Sequence, residues 1–306
     1  MRLLFVAAFL AFFSLTGCSV DARGRQQKKD RIVVLSTSAV KVLVAAGAKD
    51  KIAAISFHSA RDPLIRAVFS QIPPSVGTAS NPSIERIASA GGNVIITWNT
   101  RSVDLLRRHF GSSVFLFRVE GFDYLRKALR EFARRFGDPQ KAENAIAAMD
   151  EVLNLIKQRL KGCPTKRAVF CFSKPERVKG GRGIVHELLV MAGLSNIAGG
   201  FKKEHVTIGR EGLVKADPEV VFIWDWAGYS AEDFCRYFPM ITAVREGKVL
   251  KFPPHTPLWA PDCVLTALRM AMFAYPERFA DVDYEAVADR FLRRVYGVSL
   301  NQVRKR

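Results

Sequence analysis

The strongest constraint on this chain is one helical period from Pro139 to Lys161 that contains no internal breaker. Ala142, Ile146, Met149, Val152, Leu153, Ile156 and Leu160 recur at helical spacing, so one apolar face runs its whole length. A helix of about 20 residues reaches roughly 30 Å, the width of a small domain. On both sides the pattern changes to short strands alternating with helices. Before it, strands are expected at 32–35, 52–57, 93–98 and 114–118, with helices at 39–46, 63–69, 84–90 and 103–110. Gly47 ends the first helix, and Asn81-Pro82 reads as cap and first turn of the third. After it, strands are expected at 168–172, 220–224 and 249–252, and helices at 186–192, 264–274 and 286–296. Strands joined through helices make parallel sheets covered on both faces. The expected fold is therefore α/β: two lobes, each a mainly parallel sheet covered by helices, joined by the long helix.

An internal repeat supports two related lobes. Val42-Leu43-Val44-Ala45-Ala46-Gly47 matches Leu188-Leu189-Val190-Met191-Ala192-Gly193, both apolar helices ending in Gly. Ile84-Glu85-Arg86-Ile87 before Val94 to Trp98 matches Arg210-Glu211-Gly212-Leu213 before Val220 to Trp224. In each half a Trp follows the Glu by thirteen residues.

The N-terminus reads as an address. Met1-Arg2 precedes an apolar run from Leu3 to Phe13, too short to span a bilayer, then small residues and Cys18. Residues 1–17 are expected to be a signal peptide. Leu15-Thr16-Gly17-Cys18 resembles the bacterial lipobox, which makes Cys18 the expected lipid attachment site and membrane anchor. Residues 18–30, polar and without periodicity, read as a tether. The remaining boundaries follow: an N-terminal lobe over 31–137, the linker helix over 138–162 and a C-terminal lobe over 163–306. Export permits disulfides among Cys163, Cys171, Cys235 and Cys263, in any of three pairings or none, and their spacing does not suggest zinc. The net charge of +18 favours anionic partners such as phospholipid headgroups or an anionic ligand. Nucleic acid is not expected, because the basic residues scatter over helices with no nucleic-acid motif.

These features together resemble a known family, the periplasmic binding proteins for ferric siderophores, vitamin B12 and haem. The resemblance covers about residues 31–297. It rests on Leu35-Ser36-Thr37-Ser38 before the Ala46-Gly47-Ala48 helix end, Asn81-Pro82-Ser83-Ile84-Glu85 with Trp98, Asp217-Pro218-Glu219-Val220-Val221, and Tyr275-Pro276-Glu277-Arg278-Phe279. One departure is Gly91-Gly92-Asn93, where the family usually places a Pro-Asp pair. The resemblance implies an exported, membrane-anchored component of an ABC importer. Its partners would be the importer's permease and ATPase, and its ligand an iron chelate, corrinoid or haem rather than an intrinsic cofactor. It also implies that Glu85 and Glu211, one per lobe, meet arginines of the permease. Helix-dipole stabilisation is the plainer reading of either Glu alone.

In open α/β sheets ligands settle beyond the carboxyl ends of the strands, so two facing lobes make a cleft. The candidate cleft residues are Thr37, Ser38, His58, Trp98, Arg182, Trp224, Asp225, Trp226, His255 and Trp259. Trp226 and Trp259, in loop-like contexts, are the favoured stacking aromatics, while Trp98 or Trp224 could be core. Arg182 follows two glycines that would let backbone approach a ligand, and its guanidinium suits carboxylate or catecholate oxygens. Whether His58 or His255 touches metal is open. A small oxyanion such as molybdate or tungstate is the alternative ligand, and an envelope enzyme the alternative class. No Gly-x-Ser-x-Gly or His-Glu-x-x-His motif is present, and no enzyme activity is expected.

Overall fold

The computed structural model describes residues 30–306; the expected leader and Cys18 lie outside the described residues. The first half is a four-stranded sheet of β1 (Ile32–Val34), β2 (Ile52–Ile55), β3 (Val94–Thr97) and β4 (Val114–Leu116), in the order β2-β1-β3-β4 and parallel throughout. Its helices are α1 (Thr37–Ala45), α2 (Pro63–Val68), α3 (Ile84–Ser89), α4 (Thr100–Phe110) and α5 (Phe122–Phe136). Strand alternation divides the core: Ile32, Val34, Val94 and Ile96 face one cluster, while Val33, Leu35 and Ile95 face another across the sheet.

The long helix α6 runs from Pro139 to Arg159, with the Asp138 carboxylate accepting the Gln140 N–H at 2.8 Å. Pro at its first turn and an acidic cap are what a helix start requires. Helices α5, α11 (Cys263–Ala274) and α12 (Tyr284–Tyr296) pack along it. Its buried residues, Ala142 to Ile156, join the two halves in one apolar cluster.

The second half is built on β5 (Lys166–Cys171), β6 (Arg177–Lys179), β7 (Leu194–Asn196), β8 (His205–Thr207), β9 (Val220–Ile223) and β10 (Val249–Lys251). The order is β10-β9-β5-β6-β8, with β7 beside the start of β5. β6 and β8 are antiparallel, a ribbon that the sequence pattern does not announce because each has three residues. Helices α7 (Ile184–Met191), α8 (Gly209–Ala216), α9 (Ala231–Tyr237) and α10 (Thr242–Arg245) flank this sheet. After α12 the chain returns to the first half, where α13 (Leu300–Arg304) packs on α2.

One local expectation is revised and two open ones are narrowed. The cap of α3 is Ser83, whose hydroxyl accepts the Arg86 N–H, while Pro82 lies outside the helix, bridged to Gly77. All four cysteines from Cys163 onward are free thiols, Cys171 and Cys263 buried among core side chains. Gly180 and Gly181 are required by packing within the lobe: a Cβ would fall 2.3 Å from the Lys203 carbonyl oxygen and 1.9 Å from that of Gly199. Their near neighbour is the 199–204 segment.

The halves are also tied behind the cleft. Lys41 of α1 places its ammonium 3.0 Å from Asp62 and 3.2 Å from Asp262, all three side chains buried, and Tyr296 donates to Asp262 at 3.2 Å.

Candidate functional site

Parallel strands end on one side of each sheet, and the loops leaving those ends face each other across a cavity of about 690 Å³. That volume lies within the range of small-ligand sites. From the first half come Ser36, Thr37 and Ser38 at the start of α1, Trp98 after β3, and Phe117 to Glu120 after β4. The second half contributes Phe172, Lys179, Arg182, Trp224, Trp259 and the 202–205 segment. Of the candidates read from sequence, Thr37, Ser38, Trp98, Arg182, Trp224 and Trp259 line this cavity.

Trp98 is 50% exposed, so it is a cleft side chain and not core. Trp224 stacks flat on Phe172 with centroids 4.0 Å apart and planes within 11°, and meets Trp259 edge-on at 6.4 Å. Both tryptophans rest on the apolar core, which fixes their planes. The result is a rigid aromatic wall opposite Trp98, suited to a large planar or apolar surface.

Behind this wall lies a charged cluster absent from the sequence reading. The buried Lys179 ammonium lies 4.5 Å from the Phe172 ring centre, donates to Glu204 at 3.1 Å, and donates to His205 Nε2 at 2.8 Å. Burial and Lys179 together push the His205 pKa down to about 4, only partly offset by Glu204, so the imidazole is neutral at pH 7 and accepts from Lys179. Burial lowers the Lys179 pKa as well, with Glu204 opposing. Burial alone would raise the Glu204 pKa, but the Lys179 charge overrides it and holds the carboxyl below its ordinary value. The signal for this cluster was the Glu204-His205 pair, which has meaning only once β6 and β8 are known to pair.

Two ion pairs cross from lobe to lobe at this end of the cleft. Arg118 reaches Glu204 at 3.4 Å, and Arg182 reaches Glu120 at 3.3 Å. Arg118, Arg182 and Glu120 are well solvated and Glu204 is half-buried, so the two arginines can exchange these contacts for contacts to a ligand at little cost. Lys202 and Lys203 add two cations with no carboxylate partner among the described residues. The wall thus carries five cations against two carboxylates, with the start of α1 adding the positive end of a helix dipole.

His58, Asp225, Trp226 and His255 lie outside the cavity wall. His58 and Trp226 meet edge-to-face across the lobes at 5.8 Å, a further contact between the two halves. Trp226, expected as a main stacking aromatic, is 60% exposed there because it sits in the turn after Trp224 rather than on the strand end. Burial raises the Asp225 pKa, with the backbone amides of His255 and Trp226 holding it back. His255 is exposed, with a left-handed φ of 65°. Among the described residues no group of three or more His, Cys, Asp or Glu could hold a metal ion. No helix there is long and apolar enough to cross a membrane.

Two α/β lobes on one long helix, with an aromatic and basic cleft at the facing strand ends, define a clamp-type binding protein. Comparison with known proteins gives the same answer: residues 32–256 match the periplasmic binding protein family model, and the chain belongs to that family. The vitamin B12-binding protein of Yersinia pestis is 22% identical over 202 residues, 64% of this chain and 70% of that protein. Among solved structures, Helicobacter pylori CeuE with Ni(II) bound is 24% identical, with a TM-score of 0.77 covering 92% of this chain and 95% of CeuE. The molybdate-bound MolA of Haemophilus influenzae is 16% identical, with a TM-score of 0.72 covering 90% of this chain and 94% of MolA. At these identities the structural likeness establishes the two-lobed fold. Proteins of this family in ABC importers work outside the cytoplasm with a cognate permease and ATPase.

Proposed function

We propose that the chain is the extracytoplasmic substrate-binding lipoprotein of an ABC importer, anchored through Cys18. It captures an iron chelate or related metal complex between its lobes and delivers it to the permease. The observation that carries this reading is the cleft wall itself: the Phe172–Trp224–Trp259 stack beside Arg118, Lys179 and Arg182. The aromatic face suits a bulky chelate, and the cations suit its carboxylate or catecholate oxygens. Within the metal-complex class this favours an anionic chelate over a corrinoid. The protein forms no reactive constellation in this reading and binds without chemistry.

A small oxyanion such as molybdate or tungstate is the second reading, supported by Ser36, Thr37 and Ser38 at the start of α1. The cavity is far larger than such an ion needs, which places it second. Replacing both Arg118 and Arg182 by Ala should weaken binding of an anionic ferric chelate by about tenfold or more while leaving cobalamin affinity within about twofold. Equal losses for both ligands would contradict the anionic-chelate reading. Acyl labelling of the wild type that Cys18→Ala fails to abolish would contradict the anchor.

A further inference from the structure

The two halves repeat each other closely at the end of the sheet away from the cleft, yet they differ there in charge. Arg31 and Arg167 occupy equivalent positions, since Ile32 pairs with Val94 as Ala168 pairs with Val220. The Arg31 backbone N–H donates to Asn93 at 2.8 Å and its guanidinium to the Ala90 carbonyl at 2.9 Å. In the second half the Arg167 N–H donates to Glu219 at 2.9 Å and its guanidinium to the Asp217 carbonyl at 2.9 Å. Gly91 and Asp217 share a left-handed backbone, φ 64° and 40°. The geometry is thus kept while two carboxylates are replaced by Gly91 and Asn93. In the second half those carboxylates neutralise Arg167, with Glu219 at 3.2 Å. In the first half Arg31 makes no ion pair among the described residues.

Other cations gather at the same end. Lys49 and Lys51 precede β2 and share with Arg31 a shallow hollow of about 430 Å³. Arg107 and Arg108 sit exposed in the last turn of α4, just before β4, and neither has a carboxylate partner among the described residues. The chain enters the fold at this base, and the ten residues before Arg31 carry Arg23, Arg25, Lys28 and Lys29 against Asp21 and Asp30. A solvated basic face is common, but here basic residues on the fold continue those on the segment leading into it.

We infer that the base of the N-terminal lobe, centred on Arg31, Lys51, Arg107 and Arg108, docks on an anionic phospholipid surface. Because the base lies opposite the strand ends that form the cleft, docking would turn the cleft away from the bilayer, toward incoming ligand. Charge attraction of this kind acts within about a Debye length and weakens with salt.

The test is co-sedimentation of the chain from residue 18 onward, carrying Cys18→Ala, with phosphatidylglycerol-containing or pure phosphatidylcholine vesicles in about 0.1 M salt. The parent should bind the anionic vesicles only. The triple change Lys51→Glu, Arg107→Glu, Arg108→Glu should lower that binding by at least about tenfold, as should restoring the second half's carboxylates through Gly91→Asp and Asn93→Glu by about threefold. A control triple outside the N-terminal lobe, Lys161→Glu, Lys215→Glu, Arg245→Glu, has the same net charge and should retain most binding. Equal losses in the base and control triples, equal binding to both vesicles, or no binding by the parent would each overturn the assignment. Circular dichroism of each variant separates lost binding from lost folding.

Discussion

Lys41 shows how a single side chain can hold the two halves in register. Burial alone would depress its pKa, but Asp262 and Asp62 overcome that and raise it. Its contribution to stability is therefore complete below the unfolded lysine value of about 10.4 and fades as pH climbs above it. Lys41→Met leaves two buried carboxylates without their cation, which should cost about 3–5 kcal/mol in urea unfolding at pH 7. The wild type's advantage over this variant should shrink above about pH 10.4. A variant with the wild-type midpoint would show that the triad contributes nothing. At this scale the cleft was partly legible: Trp98, Trp224, Trp259, Thr37, Ser38 and Arg182 follow strand ends or a glycine turn in the sequence, and the cavity collects them. Lys179 and His205 were not legible as a pair, because their 2.8 Å contact depends on antiparallel pairing between segments 26 residues apart.

The helices α3 and α8 begin on the cleft side of their lobes, since each runs back to the start of a strand at β3 or β9. Glu85 and Glu211 lie in their first turns, exposed and without an ion pair among the described residues. Two exposed carboxylates on an otherwise basic protein suit a docking role, because charges at an interface set register and encounter rate. Glu85→Lys with Glu211→Lys should leave ligand binding in solution within about twofold and reduce uptake through the importer by at least about tenfold. Normal uptake by the double variant would make both residues ordinary helix-start glutamates. The long helix, the parallel strands and the repeated Glu–Trp interval were legible because their periods extend over many residues. The β6–β8 ribbon and the return of α13 onto α2 were not, since three- and five-residue elements carry no period of their own.

For the whole molecule, the proposed roles of capture, permease docking and membrane contact fall to the cleft, the cleft-side helix starts and the base. The fold followed from alternation and repeat, whereas ligand class depends on which side chains the folded chain brings together. The cleft tryptophans make ligand capture directly measurable, since Trp98, Trp224 and Trp259 all line the cavity. Intrinsic fluorescence should be titrated in parallel with ferric siderophores, haem, cobalamin and molybdate. An anionic ferric chelate is expected to quench saturably at the lowest concentration, with cobalamin weaker and molybdate without effect. Saturable quenching by molybdate alone, or by none of the metal complexes, would rule out capture of a metal chelate in this cleft.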